Sequence, residues 1–128
     1  MEQDYYIPTA EDFRVGFEFQ FKHKTGKWKN YRFFEKYSYD SWKEVEVRVP
    51  YLTKEAIESE GWEYSFKNDP DLIHFKRINS PHTLIWSSKD KRISISIPSD
   101  FFRDYIILYD GTCRCINDFR LIIKLLNI

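Results

Sequence analysis

Two similar stretches of sequence decide the fold: residues 6–22, YIPTAEDFRVGFEFQFK, and residues 51–67, YLTKEAIESEGWEYSFK. Aligned on Gly16 and Gly61, they match in chemistry at Phe17 and Trp62, Glu18 and Glu63, Phe19 and Tyr64, Phe21 and Phe66, and Lys22 and Lys67. A spacing near 45 residues is typical of a repeated supersecondary unit. The pattern therefore predicts one structural unit that is built twice.

Each copy has the features of a short helix, a glycine and a strand. Thr9 and Thr53 suit the N-cap position, and acidic residues follow them at the positive end of the helix. Gly16 and Gly61 stand where a helix ends in the left-handed conformation that glycine tolerates. The aromatic stretches beyond them alternate with polar residues, which is typical of strands. The first helix is one residue shorter, so a 3₁₀ turn is the alternative there.

Most of the remaining chain alternates in the same way between turn signals. Lys24 to Lys27 predicts a hairpin turn, and Asp110-Gly111 predicts a second one between strands over 105–109 and 112–116. Further strands are expected at 28–34, 45–49, 72–78, 83–87 and 92–97, with a polar break at 38–41, a turn at 68–71 and a short helical turn at 99–102.

A C-terminal helix is predicted over 119–126, capped by Asn117 or Asp118. Its apolar residues cover more than one stripe, so it either lies deep against the sheet or turns part of its surface to a second subunit.

Together these elements predict an α+β fold: a curved antiparallel sheet of about seven to nine strands with short helices and the C-terminal helix packed on it. Because no linker interrupts the sequence, residues 1–128 are expected to form a single domain with repeat-like units at about 5–50 and 51–128. One continuous sheet and two sub-sheets both fit the pattern.

Composition limits the functional classes. The aromatic share is 19%, which fits either an aromatic-rich β core or an exposed stacking surface. Lys plus Arg and Asp plus Glu both number 20, so the formal net charge is zero. A dedicated nucleic-acid or acidic-membrane binder usually carries a global positive excess, although a local patch can exist within a balanced total.

The two cysteines, Cys113 and Cys115, stand two residues apart. A disulfide at that spacing would be strained, so we expect reduced thiols and a cytoplasmic protein. The acidic N-terminus lacks a signal sequence, and no apolar run is long enough to span a membrane. The three histidines show no ligand spacing, so no metal is expected, and no glycine-rich phosphate loop indicates a cofactor.

The best local candidate for a binding site is the basic, aromatic segment 22–32. Its cations could contact phosphates while its aromatic faces stack on bases. The alternative is a solvated hairpin whose lysines keep an aromatic strand soluble and protect a sheet edge. The ligand-binding candidates are Lys24, Lys27, Trp28, Lys29, Tyr31 and Arg32.

Catalytic signals are few. Glu18 and Glu63 occupy equivalent places in the two copies and could act as paired carboxylates if the copies face each other. Ser88 and Lys91 match an S-x-x-K spacing, but they lie in a charged turn without the companion motifs. The sequence therefore favours a protein that is not an enzyme.

The segment Ile7-Pro8-Thr9-Ala10-Glu11, followed by Gly16-Phe17-Glu18, resembles small uncharacterised proteins of Bacteroidota and their phages, which carry I-P-x-x-E followed by G-F. The resemblance covers less than a third of the chain. It implies a compact phage or mobile-element accessory protein, a setting in which small non-enzymatic proteins often sequester a host protein or a signalling nucleotide.

The leading hypothesis is a non-catalytic binding protein that acts by occupancy, on a protein partner or a small anionic, nucleotide-like ligand, and that forms a homo-oligomer through the C-terminal helix. The alternatives are a nucleic-acid-binding protein that uses the hairpin 22–32, a small virion or structural component, and a hydrolase that uses Glu18, Glu63 or a histidine.

Overall fold

The structure, a computed structural model, describes residues 4–14, 16–33, 46–68, 71–99 and 104–128. These residues form nine strands, two α-helices and one 3₁₀ turn. The strands make two antiparallel sheets, one of four and one of five strands. The fold class is α+β, as predicted, and the strands form two sheets rather than one continuous sheet. The predicted break at 38–41 and the helical turn at 99–102 fall wholly or partly outside the described residues, as does part of the turn at 68–71.

The chain divides into two compact units, Met1–Tyr51 and Leu52–Ile128. Their boundary lies one residue after the one predicted between the repeat-like units. Each unit contains one copy of the repeated segment and one of the two sheets. The single-domain assignment stays a prediction.

The first unit contains a four-stranded sheet. Its strands are β1 (Tyr5–Tyr6), β2 (Glu18–Lys22), β3 (Trp28–Arg32) and β4 (Val47–Pro50), in the order β1-β4-β2-β3. A 3₁₀ turn over Ala10–Asp12 precedes β2, so the shorter alternative is confirmed for the first copy. Phe17, Phe19, Phe33 and Val49 are buried. The ring of Phe13 lies 5.1 to 5.4 Å from those of the three buried phenylalanines, between ring centres.

The second unit begins with helix α1 (Lys54–Ser59) and continues as a five-strand meander in sequence order. The strands are β5 (Trp62–Asn68), β6 (Leu72–Arg77), β7 (Thr83–Ser87), β8 (Arg92–Pro98) and β9 (Tyr105–Thr112), and helix α2 (Ile116–Leu126) follows. One core joins α1, the sheet and α2 through Ile57, Trp62, Phe75, Leu84, Ile95 and Phe119.

The glycine and the strand of the repeat are confirmed in both copies, whereas the 3₁₀ turn of the first copy ends at Asp12, four residues before Gly16. Gly16 and Gly61 have φ angles of 87° and 91°, in the left-handed region, and a strand follows each of them. Phe17 and Trp62, the aromatic residues directly after the glycines, are both buried. In each copy this strand pairs with the next one along the chain. The copies differ farther on, because the register of β5 against β6 shifts between Tyr64 and Phe66.

The predicted hairpin at Asp110-Gly111 is wrong. Strand β9 runs through both residues, with Ser94 opposite Asp110 and Ile93 opposite Gly111 on β8. Arg92 on β8 also forms an ion pair with Asp110 at 3.5 Å. Pairing with β8 therefore overrides the local turn preference, and Cys113 and Cys115 lie between β9 and α2 rather than in a strand.

Helix α2 begins three residues earlier than predicted, at Ile116, and Cys115 takes the N-cap position without a side-chain bond. The Asp118 carboxylate accepts a hydrogen bond from the backbone N–H of Arg114 at 2.9 Å, so it secures the entry to the helix from inside it. Phe119 and Ile122 join the core, whereas Leu121 and Leu125 are exposed. Within its unit the helix thus buries one stripe of side chains rather than most of its circumference.

Candidate functional site

The two faces of the four-stranded sheet differ sharply in chemistry. Because side chains alternate along a strand, Phe19, Phe21 and Val49 share one face with the aromatic core. Strand register places Gln20 opposite Arg48 on β4 and opposite Asn30 on β3. We define the polar face of this sheet by the side chains on the other side: Tyr5, Glu18, Gln20, Lys22, Trp28, Asn30, Arg32 and Arg48.

Arg48 lies at the centre of the polar face. Its Cζ atom is 3.7 Å from the centre of the Tyr5 ring and 4.0 Å from the centre of the Trp28 ring. Both rings are therefore within cation–π distance of the same guanidinium. Cation–π attraction is strongest over Trp and rises when the cation is partly removed from water. The three side chains join β1, β4 and β3 across the face.

Two consecutive side-chain hydrogen bonds link Arg48 to Gln20 and Gln20 to Asn30. The Nε of Arg48 donates to Oε1 of Gln20 at 2.8 Å, and Nε2 of Gln20 donates to Oδ1 of Asn30 at 3.0 Å. The Gln20 amide is therefore oriented by a partner on each side. Among the described residues, no hydrogen bond or ion pair uses the terminal nitrogens of Arg48, and the side chain is only half-buried.

The other charges of the polar face are paired. Arg32 donates to Glu18 at 2.7 Å across the β2–β3 pair, and Lys22 lies 3.5 Å from the Glu46 carboxylate. Exposed pairs of this kind contribute little stability, but they cancel charge locally. Within the described part of this face, Arg48 is thus the cation without an acidic partner.

The six residues predicted from the hairpin do not share one surface. Trp28 and Arg32 lie on the polar face, whereas Tyr31 packs against Phe19 and Phe21, with ring centres 5.8 and 6.0 Å away. Lys29 alternates with Trp28 and so lies on the side of Tyr31.

Lys24 and Lys27 lie in the turn. There Gly26 has a φ of 83°, and the backbone N–H of His23 donates a hydrogen bond to the carbonyl of Lys27. Lys24, Lys27 and Lys29 are exposed and make no ion pair with a described residue. The six predicted residues therefore fall into three pairs. Lys24 and Lys27 lie in the turn, Trp28 and Arg32 on the polar face, and Lys29 and Tyr31 on the opposite face.

Sequence reasoning missed Tyr5, Gln20 and Arg48. Arg48 stands in the alternating segment Val47-Arg48-Val49, where a polar residue is expected to face solvent. Its contact with two rings depends on strand order, since β4 pairs with both β1 and β2. No local signal in the sequence carries that order.

Three of the groups considered for catalysis, Glu18, His74 and His82, contact neighbouring side chains within their own units. Glu18 is the ion-pair partner of Arg32, and Glu63 is an exposed residue on β5. The ring of His74 stacks on Phe66 with ring centres 4.1 Å apart, and burial lowers its pKa. His82 is hydrogen-bonded to the Ser80 hydroxyl. Within the described ranges, no cluster of three or more His, Cys, Asp or Glu side chains could hold a metal ion.

Neither Cys113 nor Cys115 forms a disulfide, and both are fully buried. Burial raises the pKa of the Cys113 thiol far above its ordinary value, and the nearby Asp118 carboxylate raises it further. The thiolate is the reactive form of cysteine, so Cys113 is a structural residue rather than a nucleophile.

The fold and the polar face thus define an α+β protein with an aromatic–arginine surface on one of its sheets. Comparisons with protein-family models, with curated proteins and with solved structures find no match to the chain. None of the helices in the described residues is long and apolar enough to cross a membrane.

Proposed function

We propose that this chain is a non-catalytic binding protein that acts by occupancy and captures a small anionic, nucleotide-like ligand on the polar face. The observation that carries the proposal is the position of Arg48 against the Tyr5 and Trp28 rings with its terminal nitrogens unused by the described residues. An arginine fixed in this way loses little freedom when an anion binds, and preorganisation of this kind increases affinity.

A nucleic-acid-binding function would rely on a different surface. Lys24 and Lys27 in the hairpin turn and Lys29 on β3 make no ion pair with a described residue, so they could contact phosphates. Such binding would weaken steeply with added salt, because each neutralised phosphate releases counterions. Binding through Arg48 alone would show a shallow dependence on salt.

The biological setting is part of the proposal. A cytoplasmic phage or mobile-element accessory protein that sequesters a nucleotide-like ligand or a host protein would need a binding surface but no catalytic group. A virion component would need an assembly surface instead, and a hydrolase would need a carboxylate free to react. Glu18, a carboxylate on the polar face, is paired with Arg32, which favours binding over hydrolysis.

Isothermal titration calorimetry with a panel of mononucleotides and a short single-stranded oligonucleotide tests the proposal. We expect at least one mononucleotide to bind, and Arg48→Met to reduce its affinity at least about tenfold, the effect of losing a hydrogen bond to a charged group. The matched control is the triple change of Lys24, Lys27 and Lys29 to alanine, which should leave mononucleotide affinity within about twofold, since exposed charges away from a ligand contribute little. Binding of the oligonucleotide alone, abolished by the triple change, would contradict the proposal and favour the hairpin.

The proposal includes a homo-oligomer formed through α2. Leu121 and Leu125 lie one helical turn apart and are 41% and 75% exposed. Sedimentation velocity should show a species larger than the monomer, and Leu125→Glu should convert it to monomer. A monomeric wild-type protein at high concentration would contradict this part of the proposal only.

A further inference from the structure

We propose that the terminal edge of the Arg48 guanidinium, Nη1 and Nη2, binds one singly charged oxoanion group, a carboxylate or a phosphodiester, through two parallel hydrogen bonds. The inference rests on the proposed function and names the chemical group that the polar face would recognise. It assigns Arg48 as the ligand-contacting residue, and Tyr5, Gln20 and Trp28 as the residues that position it.

The contacts of Arg48 leave this edge as its available hydrogen-bonding surface. The Tyr5 and Trp28 rings lie against the guanidinium, with ring centres 3.7 and 4.0 Å from Cζ. Gln20 occupies Nε at 2.8 Å. A guanidinium has five N–H donors, so the four on Nη1 and Nη2 remain. Those four include the parallel pair that matches two oxygens of one carboxylate or phosphate group.

The rings and the amide also set the orientation of this edge. Reorientation of the guanidinium would disturb its contacts with the Tyr5 and Trp28 rings and break the bond from Nε to Gln20. Gln20 is itself held by Asn30. The parallel N–H donors of Nη1 and Nη2, here called the fork, are therefore oriented before a ligand arrives, as sites built for planar recognition require.

The surrounding charges favour a single negative charge on the bound group. Lys22 is paired with Glu46 and Arg32 with Glu18. Arg48 therefore supplies about one uncompensated positive charge, so a second negative charge on the ligand would meet no further unpaired cation among the described side chains of this face. A carboxylate or phosphodiester fits this balance better than a dianionic phosphate monoester.

Side-chain NMR of ¹⁵N-labelled protein tests the inference with dimethyl phosphate, acetate and monomethyl phosphate as probes, at constant ionic strength. Dimethyl phosphate and acetate should shift the Nη–H signals of Arg48 and slow rotation about its Cζ–Nη bonds. Chloride at equal concentration should not. Lys29→Ala, a cation on the opposite face of β3, should leave both responses unchanged.

Arg48→Lys keeps the charge but removes the fork, so the affinity for dimethyl phosphate should fall at least about tenfold. The inference is overturned if chloride reproduces the wild-type shifts, if monomethyl phosphate binds tighter than the diester, or if Arg48→Lys binds equally well. Should that variant fail to fold, the wild-type titration decides alone, because it reports directly on the Arg48 nitrogens.

The two proposals fail differently. If a mononucleotide binds while the Arg48 signals stay unchanged, the fork is wrong and the occupancy function stands. If the simple oxoanions move the Arg48 signals but no nucleotide binds, the fork stands and the nucleotide-like ligand is wrong.

Discussion

Gly61 is the residue at which backbone conformation and packing impose the same requirement. Its φ of 91° is left-handed, and a Cβ added there would lie 2.9 Å from Nη1 of Arg77. Arg77 in turn donates to the carbonyl of Glu60 and lies over the Trp62 ring, with Cζ 5.4 Å from its centre. A side chain at position 61 would therefore disturb both the backbone and the contacts that join the end of α1 to β6.

We expect Gly61→Ala to lower the free energy of unfolding by more than the roughly 1 kcal/mol of left-handed strain alone. Gly16→Ala is the matched control, because Gly16 has a similar φ of 87° but no atom within 4 Å of the added Cβ. Urea denaturation of both variants measures the difference. Equal losses would show that Arg77 moves aside without a cost.

His74 predicts a pH dependence of stability. Burial lowers its pKa below the ordinary value of 6.5, and its Nε2 is buried with no partner among the described residues. The folded protein then binds fewer protons than the unfolded chain between the two pKa values. The contribution is present above pH 6.5 and is lost as the pH falls through the lowered pKa.

We therefore expect the wild-type melting temperature to decline below about pH 6.5 more steeply than that of His74→Gln, which has no imidazole to protonate. Thermal melts across pH 7 to pH 5, in steps of about half a unit around the ordinary histidine pKa, provide the measurement. His23→Gln, in the β2–β3 turn, controls for loss of an imidazole elsewhere. Parallel curves for wild type and His74→Gln would contradict the assignment.

At the scale of elements, the two copies of the repeat differ in the hydrogen bonds at the start of their helical segments. Thr53 accepts a hydrogen bond from the backbone N–H of Ala56 at 3.1 Å and caps α1 as predicted. In the first copy the roles are reversed, since the Asp12 carboxylate accepts from the backbone N–H of Thr9 at 2.9 Å. The backbone N–H of Asp12, the third of the turn, donates instead to the Thr9 carbonyl at 3.0 Å, as the i to i+3 bonding of a 3₁₀ turn requires.

Thr53→Ala should therefore lower the free energy of unfolding by about 1 kcal/mol, the usual effect of losing an N-cap. Thr53→Ser keeps the hydroxyl and should recover most of the loss. Chemical denaturation monitored by circular dichroism gives both values. An alanine variant as stable as the serine variant would show that the Thr53 cap contributes nothing measurable.

Strand β9 shows where local signals fail at this scale. Asp-Gly favours a hairpin turn in isolation, yet both residues continue the strand because β8 offers partners for each of them. Gly111 also allows the Tyr109 hydroxyl to approach, since a Cβ at that position would lie 2.9 Å from it. The turn at Lys24 to Lys27 follows its local signal, because Gly26 adopts the left-handed φ that the turn requires.

The whole molecule consists of two units of unequal size. The first unit ends at Tyr51, and its buried residues are mainly the phenylalanines around Phe13 and Val49. Chains of about this length bury a smaller fraction of their surface than larger domains do and are correspondingly marginal in stability. The second unit has the larger core, in which both helices pack on the five-stranded sheet.

We expect the full chain to unfold in one calorimetric transition, as the single-domain prediction requires, with equal calorimetric and van't Hoff enthalpies. A fragment of residues 1–51 should not fold alone, whereas a fragment of residues 52–128 should show native-like circular dichroism. Two separate transitions in the full chain would contradict the prediction and define two domains.

The sequence by itself determined the features that depend on neighbours along the chain. It predicted the α+β class, the repeated glycine and strand, the Thr53 cap, the β2–β3 hairpin and most strand positions, because helix caps, left-handed glycines and alternation are set within a few residues. Tertiary structure alone decided the strand order β1-β4-β2-β3, the course of β9 and the set of side chains on each face. Tyr5, Trp28 and Arg48 meet only through that order, since cross-strand contacts depend on pairing and register between distant segments, which no local pattern encodes.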